Sequence, residues 1–293
     1  MQLFGHDRTR PGAGGGDAAV ENPSGALSGV FLPIVDFTDQ VIDLPIVRAL
    51  PLSHATRLIV GRDTRESGEW IERELARGVA SEGASVSTAG VIPTPAIAFL
   101  SGAFDFDLGV MLSASHNPHG DNGIKVFSGR GEKFGEAEER AVEAVMADGS
   151  WAVSASAQAA VQRADLAGAY LEHVRKLLPQ AGPLAGSRLA VDMANGATTT
   201  TARGLLERVG FDVVAIGDQP NGRNINLQCG STHPASLAAT VVAKHCRVGV
   251  AFDGDGDRAI LCDARGRIID GDAILLMLAL AYQRAGRLAG NTV

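Results

Sequence analysis

The feature that most constrains this chain is a pattern, run through twice, in which short apolar segments alternate with segments carrying apolar residues at helical spacing. Leu58-Ile59-Val60 reads as a buried strand. Ile71, Leu75 and Val79 then share one helical face, Val86 opens a second extended segment, and Val91 to Leu100 enters a helix through Pro93 and Pro95. Two further strands, Leu108 to Leu112 and Ile124 to Phe127, precede a helix over Glu136 to Met146. After an Ala/Ser-rich stretch from Ser150 to Ala160, read as a linker, the order resumes. Helices are predicted over Asp165 to Leu178, Thr199 to Val209 and Ala235 to Lys244, with strands at Arg188 to Val191, Phe211 to Ile216 and Val248 to Phe252. A hairpin over Arg258 to Cys262 and Arg267 to Ile269, then a helix from Asp272 to Arg284 with Ile274, Leu278 and Tyr282 on one side, complete the pattern. Two rounds of β-α-β-α order predict an α/β chain of two consecutive mixed α/β/α domains, built as two copies of one plan.

The 293 residues suffice for about two domains at the usual ~100–200 residues each. A formal charge of −7 with only 5% aromatic residues lacks both the basic footprint and the stacking platform of a nucleic-acid binder. Cys229, Cys246 and Cys262 are odd in number and form no C-x-x-C pair, so they are expected to be reduced, buried thiols. The first eight residues turn polar before a signal-peptide core forms, and the longest apolar run, Ala273 to Ala281, falls well short of the ~20 residues that span a bilayer. A cytoplasmic protein without membrane or nucleic-acid partners is therefore expected. Pro11 to Thr56 carries Gly14-Gly15-Gly16 and five prolines without sustained period, and predicts no regular element.

Three groups of residues carry chemistry. Asp253-Gly254-Asp255-Gly256-Asp257-Arg258 follows directly on an apolar strand, and its alternate carboxylates can turn toward one point because the glycines let the backbone bend. Such an oxygen-rich set suits a hard cation such as Mg²⁺. An EF-hand is excluded, since Arg258 stands where that loop needs Gly and Ala264 where it needs Glu. Ser113-Ala114-Ser115-His116-Asn117-Pro118 ends another strand, where open α/β sheets build their sites, and places Ser115 as a nucleophile beside His116 and near Lys125. On spacing alone it reads equally as a hydrogen-bonded turn. Arg62 and Arg65 in Gly61-Arg62-Asp63-Thr64-Arg65, Arg10, and Arg258 are phosphate-binding candidates, although Arg62 and Arg65 serve as well in structural ion pairs.

With Leu3-Phe4-Gly5, Val191-Asp192-Met193-Ala194-Asn195-Gly196-Ala197, Asn224-Ile225-Asn226 and Cys229-Gly230-Ser231-Thr232-His233-Pro234, these motifs make the chain resemble the α-D-phosphohexomutases over about Leu58 to Val293. The last two motifs favour the branch acting on glucosamine phosphates over those acting on glucose or mannose phosphates. The resemblance implies phosphohexomutase-type domains: 1–57 as an atypical start of domain I, 58–155 as the rest of it with the phosphoserine loop, 156–270 as domain II with the metal loop, and 271–293 as the start of domain III. Ser115 would carry the phosphoryl group, and Asp253, Asp255 and Asp257 would bind Mg²⁺ with a phosphoserine oxygen completing the site. Arg10 and Arg258 would contact phosphate, and His116 and Lys125 would serve as acid/base candidates. The implied reaction is an isomerisation of glucosamine 6-phosphate to glucosamine 1-phosphate through a 1,6-bisphosphate, for UDP-N-acetylglucosamine and cell-wall synthesis. A homodimer stays open.

The chain departs from that family twice. Gly5-His6-Asp7-Arg8-Thr9-Arg10-Pro11 stands where the family reads Gly-Thr-Asp-Gly-Ile-Arg-Gly, and the helix expected downstream is not evident, which suggests a frameshifted or recombined segment. The chain also ends where a third domain would start, so a catalytically incomplete fragment that only binds Mg²⁺ and phosphate is an alternative expectation. Another is a phosphatase of the haloacid-dehalogenase type, with Asp253 rather than Ser115 phosphorylated.

Overall fold

A computed structural model describes residues 56–147, 161–178 and 182–292. Arg10, the expected linker and nearly all of the 1–57 segment lie outside these residues.

The first sheet is built from β1 (Arg57–Arg62), β2 (Ser85–Val91), β3 (Leu108–Leu112), β4 (Ile124–Ser128) and β5 (Val161–Arg163), in the order β4-β3-β1-β2-β5. Every pair is parallel except β3 with β4. The strand period of two sends alternate residues to opposite faces. Leu58, Val60, Leu108, Val110 and Leu112 pack with Ile71, Leu75 and Val79 of α1 (Gly68–Ser81) and with Val142 of α3 (Glu136–Ala147). Ile59, Met111 and Phe127 take the other face, against Ile97 and Leu100 of α2 (Thr94–Ala103). Each of these enclosed side chains contributes roughly 1.5–3 kcal/mol of hydrophobic stabilisation. Helix α4 (Ala167–Leu177) lies on α2, where the His173 ring stacks on Phe99 at 4.0 Å between centroids.

The second sheet contains β6 (Arg188–Asp192), β7 (Asp212–Ile216), β8 (Val248–Phe252), β9 (Ala259–Asp263) and β10 (Ile268–Ile269), in the order β10-β9-β8-β6-β7. Leu189, Val191 and Val213 pack toward α5 (Ala202–Val209), while Ala190, Ala251 and Cys262 pack toward Leu237 and Val241 of α6 (Ala235–Ala243). Strands β6 to β9 repeat the order and directions of β1 to β4: three parallel strands and a fourth antiparallel to the third. The two-domain α/β/α expectation therefore holds, including its duplicated plan.

Local differences have local causes. The helix predicted over Thr199 to Val209 divides into a 3₁₀ turn at Ala197–Thr200 and α5. Thr199 and Thr200 donate hydroxyl hydrogen bonds to the carbonyls of Gly196 (2.7 Å) and Ala197 (2.9 Å), competing with regular helix. Strand β5 was not expected; it has three residues, one half-buried and two exposed, and sits at the far edge of the first sheet beside β2. The division at 155/156 leaves it on the far side of that boundary. Helix α7 (Gly271–Arg284) is capped by Asp270, which accepts from the Ala273 amide at 3.0 Å, and buries no residue. Among the described residues no helix is long and apolar enough to cross a membrane.

Candidate active site

The loop after β3 is held by a buried ion pair. Asp63 and Arg65 follow β1, and both are enclosed. Arg65 Nε donates to Asp63 Oδ2 at 2.8 Å, and its two terminal nitrogens donate to the carbonyls of Ser115 (3.1 Å), Asn117 (2.8 Å), Pro118 and Asp121 (2.7 Å). One guanidinium thus gathers four carbonyls of a seven-residue turn, a use of its fixed fork that a lysine could not copy. Ser113 Oγ donates to Asp63 Oδ2 at 2.6 Å and accepts from the Ser115 amide at 2.9 Å. Burial raises the Asp63 pKa above the usual carboxylate value, with Arg65 and Ser113 opposing. Arg65 is therefore a scaffold residue. Arg62 is one too, pairing with Glu69 (2.8 Å) and Glu72 (3.1 Å).

This loop meets the acidic loop of the other domain. Ser115, buried and at φ 53°, lies with its Oγ 2.5 Å from Asp253 Oδ2. Carboxylate oxygens of Asp253, Asp255 and Asp257 all lie within 4.8 Å of one another. Gly254 permits the approach, since a Cβ there would stand 2.5 Å from the Ser115 carbonyl oxygen. Burial raises the Asp253 pKa to about 7, reinforced by the charges of Asp255 and Asp257. For Asp255, burial is outweighed by Lys125 and Thr94, and its pKa is lowered. Asp255 Oδ2 accepts from Lys125 Nζ (2.6 Å) and from Thr94 Oγ1, whereas its Oδ1 is buried with no hydrogen-bond partner among the described residues. An orphaned buried oxygen aimed among crowded carboxylates fits a hard divalent cation, whose charge would offset their repulsion.

Lys125, from β4, also bonds Asp257 Oδ2 at 2.8 Å. Burial acts to lower its pKa, but Asp255 and Asp257 outweigh that, and the ammonium is held protonated. The pKa of His116 is lowered by burial and by Arg258, whose Nη1 lies 3.4 Å from its Nδ1. The Arg258 amide donates to Asp253 Oδ1 at 3.1 Å, while its guanidinium is largely exposed beside His116.

Residues 43–152 match the phosphoglucomutase/phosphomannomutase α/β/α domain I, and residues 168–266 match domain II. The chain belongs to the phosphoglucomutase/phosphomannomutase family. Its relatives include the phosphoglucosamine mutase of Sphingopyxis alaskensis, 46% identical over 241 residues, 82% of this chain and 54% of that one. That of Xylella fastidiosa is 45% identical over 249 residues, 84% and 56% of the two chains. Among solved structures, a putative phosphomannomutase from Thermus thermophilus superposes with a TM-score of 0.73 at 26% identity, over 83% of this chain and 56% of that one. The chain thus spans about half the length of the curated relatives it matches.

The fold brings Ser115, His116, Lys125, Asp253, Asp255, Asp257 and Arg258 into one cluster, with Arg10 outside the described residues. Sequence reasoning missed Thr94 and Asn226. Thr94 follows Pro93 at the start of α2, where only the prolines carried a signal. Asn226 lies inside the quoted Asn-Ile-Asn motif, but nothing in its type foretold a contact with a loop more than 100 residues earlier.

Proposed function

We propose that this chain carries the nucleophile and cation-binding loops of a phosphosugar mutase interconverting glucosamine 6-phosphate and glucosamine 1-phosphate, in supply of UDP-N-acetylglucosamine for the cell wall. The observation that carries the reading is the approach of Ser115 Oγ to within 2.5 Å of Asp253, beside a second carboxylate with an unpartnered buried oxygen. The names of relatives 42–46% identical support glucosamine as the hexose.

In this reading Asp253, Asp255, Asp257 and a phosphorylated Ser115, all hard oxygen donors, would hold Mg²⁺. When bound it supplies neutralisation of charge on the phosphoryl oxygens. The Ser115 phosphoryl group passes to O1 of glucosamine 6-phosphate: the Oγ–P bond breaks, the O1–P bond forms, and the O1 proton goes to a base. His116, held toward its neutral form, is the candidate base. Lys125, held protonated, supplies positive charge and a proton as Oγ leaves. The 1,6-bisphosphate then reorients and returns its O6 phosphoryl group to Ser115, releasing glucosamine 1-phosphate. Arg258, and Arg10 by its place in the sequence, would hold substrate phosphate.

The test is the intact mass of the purified chain before and after incubation with Mg²⁺ and glucosamine 1,6-bisphosphate, with Ser115→Ala alongside. One phosphoryl addition, lost in Ser115→Ala, is expected. No addition would overturn the reading for this chain, and addition to Asp253 instead would replace it with an aspartyl-phosphate chemistry.

A further inference from the structure

The Asn224-Ile225-Asn226 motif has no part in the reaction as derived above, yet Asn226 occupies a singular position. It is buried, belongs to the second domain, and adopts a left-handed backbone at φ 58°. That conformation is costly for most residues and least so for Gly and Asn. Its amide N donates to the Ala194 carbonyl at 2.9 Å, which seats it against the turn after β6. Its side-chain Nδ2 reaches across the domain boundary and donates to the carbonyls of Ser115 (2.9 Å) and Asn117 (3.1 Å).

Those are two of the four carbonyls already gathered by Arg65. The backbone on either side of His116 is therefore gripped twice, by a guanidinium of its own domain and by an amide of the other. The acidic loop passes over the same spot, since a Cβ on Gly254 would lie 2.8 Å from Asn226 Nδ2. Apart from the Ser115 Oγ–Asp253 hydrogen bond itself, the other cross-domain contacts hold the surroundings rather than the backbone of the serine turn. Thr64 Oγ1 donates to the Asn195 carbonyl at 2.5 Å, and Arg223 pairs with Glu66 at 2.7 Å on the exposed rim.

We propose that Asn226 is a positioning residue that fixes Ser115 against the acidic loop. Arg65 shapes the turn within its own domain, and Asn226 sets that turn's register relative to Asp253, so that Oγ faces the carboxylates. The proposal rests on the reading of Ser115 as phosphoryl carrier for what the serine does, but its geometric content stands apart from that reading. Its side-chain nitrogen is committed to the two carbonyls of the serine turn, so its removal should slow transfer without weakening the sugar's hold. Misplacing a reacting group by about 1 Å costs on the order of 10²-fold in rate.

The test uses the full chain and two variants. Asn226→Gly keeps the left-handed backbone and deletes the amide, and Asn226→Asp keeps the size and removes both donors. Arg223→Ala serves as a control that perturbs the same domain boundary only at its rim. Two measurements are made on each: the rate of Ser115 phosphorylation by glucosamine 1,6-bisphosphate with Mg²⁺ as donor concentration is varied, and hydrogen exchange of peptides covering 113–121. Both Asn226 variants are expected to lower the saturating rate by about 10²-fold, leave the half-saturating donor concentration within about twofold, and speed exchange in 113–121 but not in β6. Arg223→Ala is expected to match the wild type in both. Wild-type rates and protection in the two Asn226 variants would overturn the proposal, as would an equal loss in Arg223→Ala. If the wild type takes up no phosphoryl group, the mutase reading fails, and the exchange measurement decides on Asn226 alone. Selective loosening of 113–121 in its variants would then support the positioning role, and unchanged protection would overturn it.

Discussion

Arg65 touches four carbonyls and a carboxylate with no part of it open to solvent, so its loss removes more than a charge. Arg65→Ala is expected to cost about 3–5 kcal/mol, because Asp63 is left as a buried charge without its partner. The double variant Asp63→Asn with Arg65→Met should cost less than Arg65→Ala alone, and urea unfolding curves of both would check this. At Cys229 the effect is one of pH. Burial pushes its thiol up to about 11, with Asp192 adding and the Asn195 amide opposing. A raised thiol pKa means that the reactive thiolate is scarce at every pH below it. Iodoacetamide at pH 8 should therefore leave Cys229 unmodified in the folded chain and alkylate it in urea, with peptide mass spectra as the readout. Residue types alone pointed to the three aspartates, because three carboxylates at every second position leave few uses but a cation, whereas for Ser115 spacing left a nucleophile and a hydrogen-bonded turn equally open. For Arg65 the sequence left phosphate binding and a structural ion pair equally open, and the buried pair with Asp63 decides for the second; the four carbonyls it gathers, and those reached by Asn226, were opaque because a sequence does not display which backbone oxygens converge on a side chain.

Legibility followed burial among the elements. Strand β3 is enclosed along its whole length and reads as an unbroken apolar run, so its bounds are those expected from the sequence. Strand β5, half-exposed and three residues long, has no such run and was missed. Strands β3 and β8 also share a glycine at their second position, Gly109 and Gly249, and both face a helix. A Cβ at Gly249 would lie 2.6 Å from Val241 Cγ2 and 2.9 Å from Leu237 Cδ1 of α6. Gly249→Ala is therefore expected to destabilise the second domain by about 1–3 kcal/mol through overpacking, read as a lower urea midpoint. Helix α7 was foreseen as amphipathic with Ile274, Leu278 and Tyr282 on one side, yet Leu278 and Tyr282 are exposed, as are Leu275, Leu276 and Met277. A periodic pattern predicts the helix, but whether its face is covered depends on neighbours that the pattern does not specify.

At the scale of the whole molecule, the geometry of the acidic cluster links stability to a cation if the proposed site is filled. Burial of Asp253 and, after it, the neighbouring charges of Asp255 and Asp257 raise its pKa and oppose its ionised form, a cost that a bound cation would offset. A ligand bound only by the folded chain stabilises it by about 2.7 kcal/mol at a hundredfold excess over its dissociation constant. Thermal melting in Mg²⁺ against EDTA should therefore show a higher midpoint with the metal. That difference should vanish in Asp253→Asn with Asp255→Asn, and its persistence there would place the cation elsewhere.

The serine loop joins β3 to β4, and the acidic loop joins β8 to β9, the corresponding connection of the repeated plan. Duplication has thus given one topological position two chemistries and turned the copies face to face. The contacting oxygens are 138 residues apart in sequence. During synthesis the Asp63–Arg65 pair can form before the second domain exists, so the turn carrying Ser115 emerges without the acidic loop and without Asn226. On the proposed mutase reading, the docking of the later copy is what brings Ser115 Oγ to the acidic loop and completes the site.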